Sequence, residues 1–167
     1  MHRIIGHRGF TLIELVLIIL VTVIIAFAVI PRFDLTSSRA ASAARKLLSD
    51  LRYAQQLANA TQARHGVNFN SASQYTVFKN NDSAVPATDP MKGGSYIVNM
   101  TGDFTGVTLL NTLTSGIVRF DSIGIPYEGT NGSQVTLAVA RTITVSAGGS
   151  TVKTITIEPK TGKVWMN

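Results

Sequence analysis

Gly9-Phe10-Thr11-Leu12-Ile13-Glu14, followed by an apolar run to Ile30, decides how the rest of this chain is read. Between Glu14 and Pro31 only Thr22 is polar. A helix over residues 10–30 would reach about 31 Å at about 1.5 Å per residue, one hydrocarbon core. The run therefore predicts a membrane segment that carries one carboxylate near its start. Such a charge costs about 2–3 kcal/mol at the centre of a bilayer and less near the interface, so Glu14 needs a compensating partner.

The residues before this run, 1–9, hold His2, Arg3, His7 and Arg8 and no acid. A positive leader stays on the cytoplasmic side, which predicts that the chain beyond Ile30 is translocated. An ordinary secretory signal is the plainer alternative. Ala26-Phe27-Ala28 fits an A-x-A cleavage site, and cleavage after Ala28 would release a soluble secreted protein. Glu14 stands against it, because the apolar region of such a signal is uncharged. A simple signal anchor would explain the length of the run but not the glutamate.

Gly9-Phe10-Thr11-Leu12-Ile13-Glu14 resembles the class III signal of type IV pilins and type II secretion pseudopilins. The resemblance implies that a prepilin peptidase cuts between Gly9 and Phe10 and N-methylates Phe10, leaving the apolar helix on the mature chain. Glycine suits the cut because it lets the backbone lie extended and close in a protease site. Glu14 then lies four residues beyond the new amine. The resemblance implies that its carboxylate faces that amine, its own or a neighbour's, and sets axial register, with Thr11 a candidate second polar contact. A carboxylate and an ammonium attract strongly in hydrocarbon, and either one left unpaired is costly. Pro31 is expected to end or kink the helix; in pilin-like chains a proline here lets the helix stretch inside the filament.

Bulk composition allows one membrane segment and one modest domain in 167 residues. The absence of cysteine removes disulfides, thiolate metal sites and thiol nucleophiles. Net charge is +6, and +4 once the two leader arginines are set aside, with no block of like charge. That balance permits nucleic-acid or lipid binding without indicating it.

Residues 37–63 read as an amphipathic helix: Ala40, Ala44, Leu47, Leu48, Leu51, Ala54, Leu57 and Ala58 form one stripe, and Arg45, Lys46, Asp50, Arg52, Gln55 and Gln56 mostly fall off it. His65 is expected at the helix end as a capping or solvent residue, and Gly66 as a left-handed cap. Beyond it, strands are predicted at 67–69, 75–78, 96–100, 107–110, 117–120, 135–139, 143–145, 152–157 and 163–166. Residues 70–74 read as a hairpin turn, 80–94 as a polar surface loop, Gly148-Gly149 as a tight hairpin, and 158–162 as a type I turn with a bulge. The fold class predicted is α+β, a long N-terminal helix packed on antiparallel sheet. Four regions follow: leader 1–9, membrane and assembly helix 10–31, helical spine 32–65, and β-rich region 66–167.

Three further stretches resemble the GspH/FimT branch of minor pilins and pseudopilins: Leu47 to Gln55, Arg119 to Pro126, and Ile155 to Gly162. Leu51-Arg52-Tyr53-Ala54-Gln55 and Phe120-Asp121-Ser122-Ile123-Gly124-Ile125-Pro126 are most similar to minor pilins of mannose-sensitive haemagglutinin (MSHA) type. The chain lacks the C-terminal cysteine pair of many major pilins. The resemblance implies a structural subunit whose partners are prepilin peptidase, sister pilins or pseudopilins, and an inner-membrane assembly platform. It places the N-terminus in the cytoplasm and the C-terminal region in the periplasm.

No motif points to catalysis, metal or cofactor. His2, His7 and His65 lack ligand spacing, and Asp82, Asp89 and Asp103 read as loop residues. Lys160, Lys163 and Trp165 form a basic, aromatic patch, the candidate nucleic-acid contact of a DNA-uptake minor pilin; a plain rim-exposed hairpin end is the other reading.

Overall fold

The computed structural model describes residues 10–29, 35–102 and 104–167. Gly9, Pro31 and Asp103 lie outside the described residues. The chain forms two compact units, 1–33 and 34–167.

The first unit contains α1, Leu12–Val29, an apolar helix with Glu14 in its first turn. Thr11 caps it: the Glu14 N–H donates to Thr11 Oγ1 at 3.3 Å and to the Thr11 carbonyl at 3.1 Å. Thr11-x-x-Glu14 has the spacing of a capping box, with the threonine accepting one of the orphan N–H groups of the first turn. Thr22 satisfies its hydroxyl within α1, at the carbonyls of Ile18 and Ile19. Among the described residues no helix is long and apolar enough to cross a membrane.

The second unit is built on α2, Leu35–Thr61. Ten strands follow: β1 His65–Ser71, β2 Gln74–Phe78, β3 Ile97–Asn99, β4 Val107–Asn111, β5 Ile117–Phe120, β6 Pro126–Thr130, β7 Ser133–Thr136, β8 Arg141–Ala147, β9 Ser150–Ile157 and β10 Val164–Met166. They form a six-stranded sheet in the order β3-β2-β1-β5-β6-β7 and a four-stranded sheet in the order β10-β9-β8-β4. Every strand pair is antiparallel. The predicted α+β architecture, helix on antiparallel sheet, is thus observed.

One face of α2 packs on both sheets. Ala40, Ala43, Ala44, Leu47, Leu51, Ala54 and Ala58 are fully buried against Val67, Tyr75 and Val77 of one sheet and Ile143, Val145, Ile155 and Ile157 of the other. Alanine at four-residue spacing lets the helix axis approach the strands closely, and the leucines fill what remains. Burying a side chain the size of Leu47 or Leu51 contributes about 1.5–3 kcal/mol each.

Several local expectations change. α2 stops at Thr61, two residues before the predicted end, and the left-handed residue is Gln62 (φ 55°), not Gly66. Gly66 is a β1 residue instead, and close packing explains it: an added Cβ would meet the Val118 carbonyl, Arg119 Cα and the Phe78 ring. His65 is buried rather than solvated; its Nδ1 lies 2.9 Å from the Ala63 carbonyl, which can only accept, so Nδ1 is the donor. β6 was not anticipated, because Pro126 and Gly129 interrupt the apolar alternation. The strand predicted over 135–139 sits at Ser133–Thr136 as its hairpin partner. The 70–74 turn shortens to the two residues between Ser71 and Gln74, which pair. Gly148 and Gly149 form the expected tight hairpin, both at positive φ. The 158–162 turn differs from a type I turn with a bulge: Lys160 adopts φ 64° while the Thr161 N–H reaches back to the Pro159 carbonyl.

Candidate functional site

In the processing and assembly stretch, Phe10 is 72 % exposed, Thr11 is exposed and serves α1 as a cap, and the Glu14 side chain is exposed in the first turn. The helical spacing places Phe10 and Glu14 about one turn apart along the chain. Thr11 thereby acquires a definite local role, satisfying helix backbone.

The three downstream motifs, far apart in sequence, converge on one junction. Gln55, on the solvent flank of α2, donates through Nε2 to the Gly124 carbonyl at 3.1 Å and to the Gly162 carbonyl at 3.3 Å. Gly124 belongs to the loop between β5 and β6 of the six-stranded sheet, and Gly162 to the turn between β9 and β10 of the four-stranded sheet. One amide therefore ties the helix to both sheets. Both glycines have positive φ, and a Cβ on either would come within 2.8 Å of Gln55 Nε2. One turn of helix before, Arg52 Nη2 donates to the Val164 carbonyl at 3.1 Å.

The Gly124 loop is closed on itself by a residue visible in its sequence. Asp121 Oδ1 accepts the N–H groups of Ile123 and Ile125, at 3.0 and 2.9 Å, and the Asp121 backbone closes on the Ile125 carbonyl and the Gly124 N–H. This Asx-type turn holds Ile123 out, 75 % exposed. Across the junction Trp165 is half-buried, its indole N–H donating to Glu158 Oε1 at 3.2 Å. Lys160 and Lys163 are exposed beside it in sequence. The structure thus brings a carboxylate onto the indole of the patch named from sequence.

Two buried polar groups flank this junction within the second unit. Asp50, on α2, is 2 % exposed and accepts from Lys46 Nζ, at 2.6 and 2.7 Å, and from the hydroxyls of Tyr75 and Tyr96, both at 2.7 Å. Burial, then the Asp50 carboxylate, pushes both tyrosine hydroxyls well up from the ordinary phenol value, so both stay protonated and donate. Glu128 on β6 pairs with Arg141 of β8 and accepts the Thr114 N–H at 3.1 Å, linking the two sheets. Burial alone would raise its pKa; the Arg141 hydrogen bond, the Thr114 N–H and the Arg141 charge outweigh it, and the carboxyl titrates below its ordinary value.

Arg119, on β5, is fully buried and donates to the carbonyls of Gly129 and Thr130 and to Asn131 Oδ1. Its guanidinium also faces the Phe78 ring, 5.3 Å from the centroid. Sequence reasoning missed Asp50, Gln55, Arg119 and Glu128. Asp50, Gln55 and Arg119 do sit inside the motifs named above, and that is the signal the sequence offers. Among the described residues no group of three metal-ligating side chains is found. Asp82 and Asp89 have structural partners: Asp82 accepts the Ala84 N–H and the Asn131 amide, and Asp89 accepts the N–H groups of Met91 and Lys92.

A helical spine clamped to two antiparallel sheets is an α+β fold. Two solved structures share it, both crystal forms of the Pseudomonas aeruginosa (strain PAO1) type IV minor pilin FimU. In the P21 form the TM-score is 0.53 at 15% identity, over 78% of this chain and 89% of that one. In the P65 form it is 0.50 at 14% identity, over 75% of this chain and 90% of that one. No family model matches the sequence, and neither does any curated protein.

Proposed function

We propose that this chain is a minor pilin or pseudopilin, a non-enzymatic structural subunit of a type IV pilus or type II secretion pseudopilus. The observation that carries the proposal is a combination. A class III-type signal from Gly9 to Glu14, leading into an apolar helix, occurs in a chain whose globular unit has the fold seen in a type IV minor pilin. Prepilin peptidase cuts between Gly9 and Phe10 and methylates Phe10. Residues 10–31 then hold the subunit in the inner membrane with residues 34–167 in the periplasm, until the assembly platform extracts it into the filament. Glu14 pairs with a Phe10 amine and sets register. The three motifs tied by Gln55 support the finer reading of a GspH/FimT-branch, MSHA-type minor subunit.

Intact mass of the membrane-extracted protein tests this. The expected mature chain lacks residues 1–9 and carries one added methyl; a chain beginning at Val29 would overturn the proposal in favour of secretory cleavage. Glu14→Ala is expected to leave cleavage intact and to abolish incorporation into filaments. Normal incorporation of that variant would remove the role given to the carboxylate.

A further inference from the structure

Gln55 does more than join two sheets. From a single amide it fixes the loop that carries Ile123 and the turn that carries Lys160 and Lys163. Arg52 is anchored at the Val164 carbonyl, adjacent in sequence to Lys163. Arg52, Lys160 and Lys163 are exposed, and among the described residues none of them makes an ion pair. Ile123 is the large aliphatic side chain of this surface, held out by a loop that Asp121 closes and Gln55 pins. Lys160 adopts a positive φ that glycine would tolerate without strain.

An apolar residue on a pre-ordered loop, bordered by unpaired cations, has the composition of an interface anchor with a polar rim. Ordering it in advance removes part of the entropy cost of binding. We propose that this surface docks an acidic face of a sister filament subunit, with Ile123 as the apolar anchor and Arg52, Lys160 and Lys163 meeting the partner's carboxylates. The proposal rests on the reading of the chain as a filament subunit. Charge complementarity selects an acidic partner, because exposed cations outside any ion pair among the described residues reward carboxylates and repel basic surfaces. A nucleic acid fits less well. Binding single strands needs an open aromatic face among cations, and here the Trp165 ring is half-buried.

The test is photo-crosslinking from position 123, with benzoylphenylalanine replacing Ile123 in the full chain, in cells assembling filaments. The expected adduct joins another filament subunit at a carboxylate-bearing segment. Its yield should fall about tenfold in the Lys160→Glu/Lys163→Glu background, as charge reversal at a rim predicts. Processing at Gly9 and the melting temperature should be unchanged in that background. Ile123→Ala, which leaves every hydrogen bond of the loop in place, should reduce co-purification of the same partner. An adduct on nucleic acid, on a segment without carboxylates, or at undiminished yield after charge reversal would overturn the docking surface. No adduct in filaments that do contain the processed chain would overturn it too, and would leave the filament-subunit reading standing. A chain neither cleaved at Gly9 nor found in filaments would overturn both.

Discussion

α1 and α2 are both long helices, yet their side chains meet opposite environments. The large apolar residues of α1 from Leu12 to Ile25 are 42–82 % exposed. On α2 five alanines and two leucines are completely buried; beside them Asp50 is bonded to Tyr75 of β2, and Gln55 to carbonyls of the β5–β6 loop and the β9–β10 turn. α2 is therefore stabilised by packing within its own unit, whereas the apolar side chains of α1 find no such packing within theirs. The two helices draw their stability from different sources. For α2 it is packing on both sheets; for α1 it is backbone hydrogen bonding with a threonine cap.

The sharpest way to break this comparison is to unseat α2 from its sheet. Asp50→Ala would leave Lys46 and two tyrosine hydroxyls facing a vacated buried position. Lys46 is 35 % exposed and can turn to water, but each buried tyrosine hydroxyl left without its acceptor costs about 1–3 kcal/mol, so the melting temperature should fall by about 6 °C or more. Calorimetry checks it, and a loss under about 1 kcal/mol would mean that the tyrosines and Lys46 find water instead. Gln55→Ala comes next, at about 1–3 kcal/mol for two hydrogen bonds and two abandoned carbonyls. Gln55→Glu should be worse than alanine, because a carboxylate would then face two carbonyl oxygens. If urea melts rank glutamate as the milder change, the amide is not the clamp described.

Acid offers a graded version of the same test. Glu128 joins β6 of one sheet to β8 of the other, and its folded pKa lies below the ordinary 4.5. A depressed carboxyl stabilises the fold above its unfolded pKa, and that stability is lost as pH falls through the folded value. Melting temperatures taken from about pH 6 down to about pH 3 should therefore decline for the native chain. They should decline less steeply for Glu128→Gln, whose side chain cannot titrate. Parallel curves for the two proteins would show that the pair contributes no pH-dependent stability.

Much of this was legible in the sequence, for identifiable reasons. The alanine and leucine stripe of α2 and the alternation in β8 report their own burial through periodicity, so the α+β layout follows from them. The polar contacts do not report themselves this way. Asp50 reads as an ordinary charged residue beside the stripe. Only the fold brings Tyr75 and Tyr96, which are 25 and 46 residues away in sequence, to its two oxygens. Gly66 looked like a helix cap because glycine after a helix usually is one; the close approach of β5 and the Phe78 ring is a tertiary fact. The junction was half legible. Its three motifs were picked out one by one, but their meeting at Gln55 depends on contacts 69 and 107 residues apart.

The smallest effect belongs to α1 and sharpens the comparison from the other side. Thr11 Oγ1 accepts the Glu14 N–H, and replacing a threonine N-cap with alanine costs about 1 kcal/mol of helix stability. Because residues 34–167 form a compact unit of their own, Thr11→Ala should fray the first turn of α1 and leave the melting temperature of that unit unmoved. Amide exchange at Ile13 and Glu14, measured in detergent, should quicken by about fivefold, the equivalent of about 1 kcal/mol. Exchange within β8 and β9 should stay constant. A drop in the unit's melting temperature would mean that α1 contributes to the stability of residues 34–167. Unchanged exchange at Glu14 would mean that the cap is carried by the backbone carbonyl of Thr11 alone, since that oxygen also accepts the Glu14 N–H, at 3.1 Å.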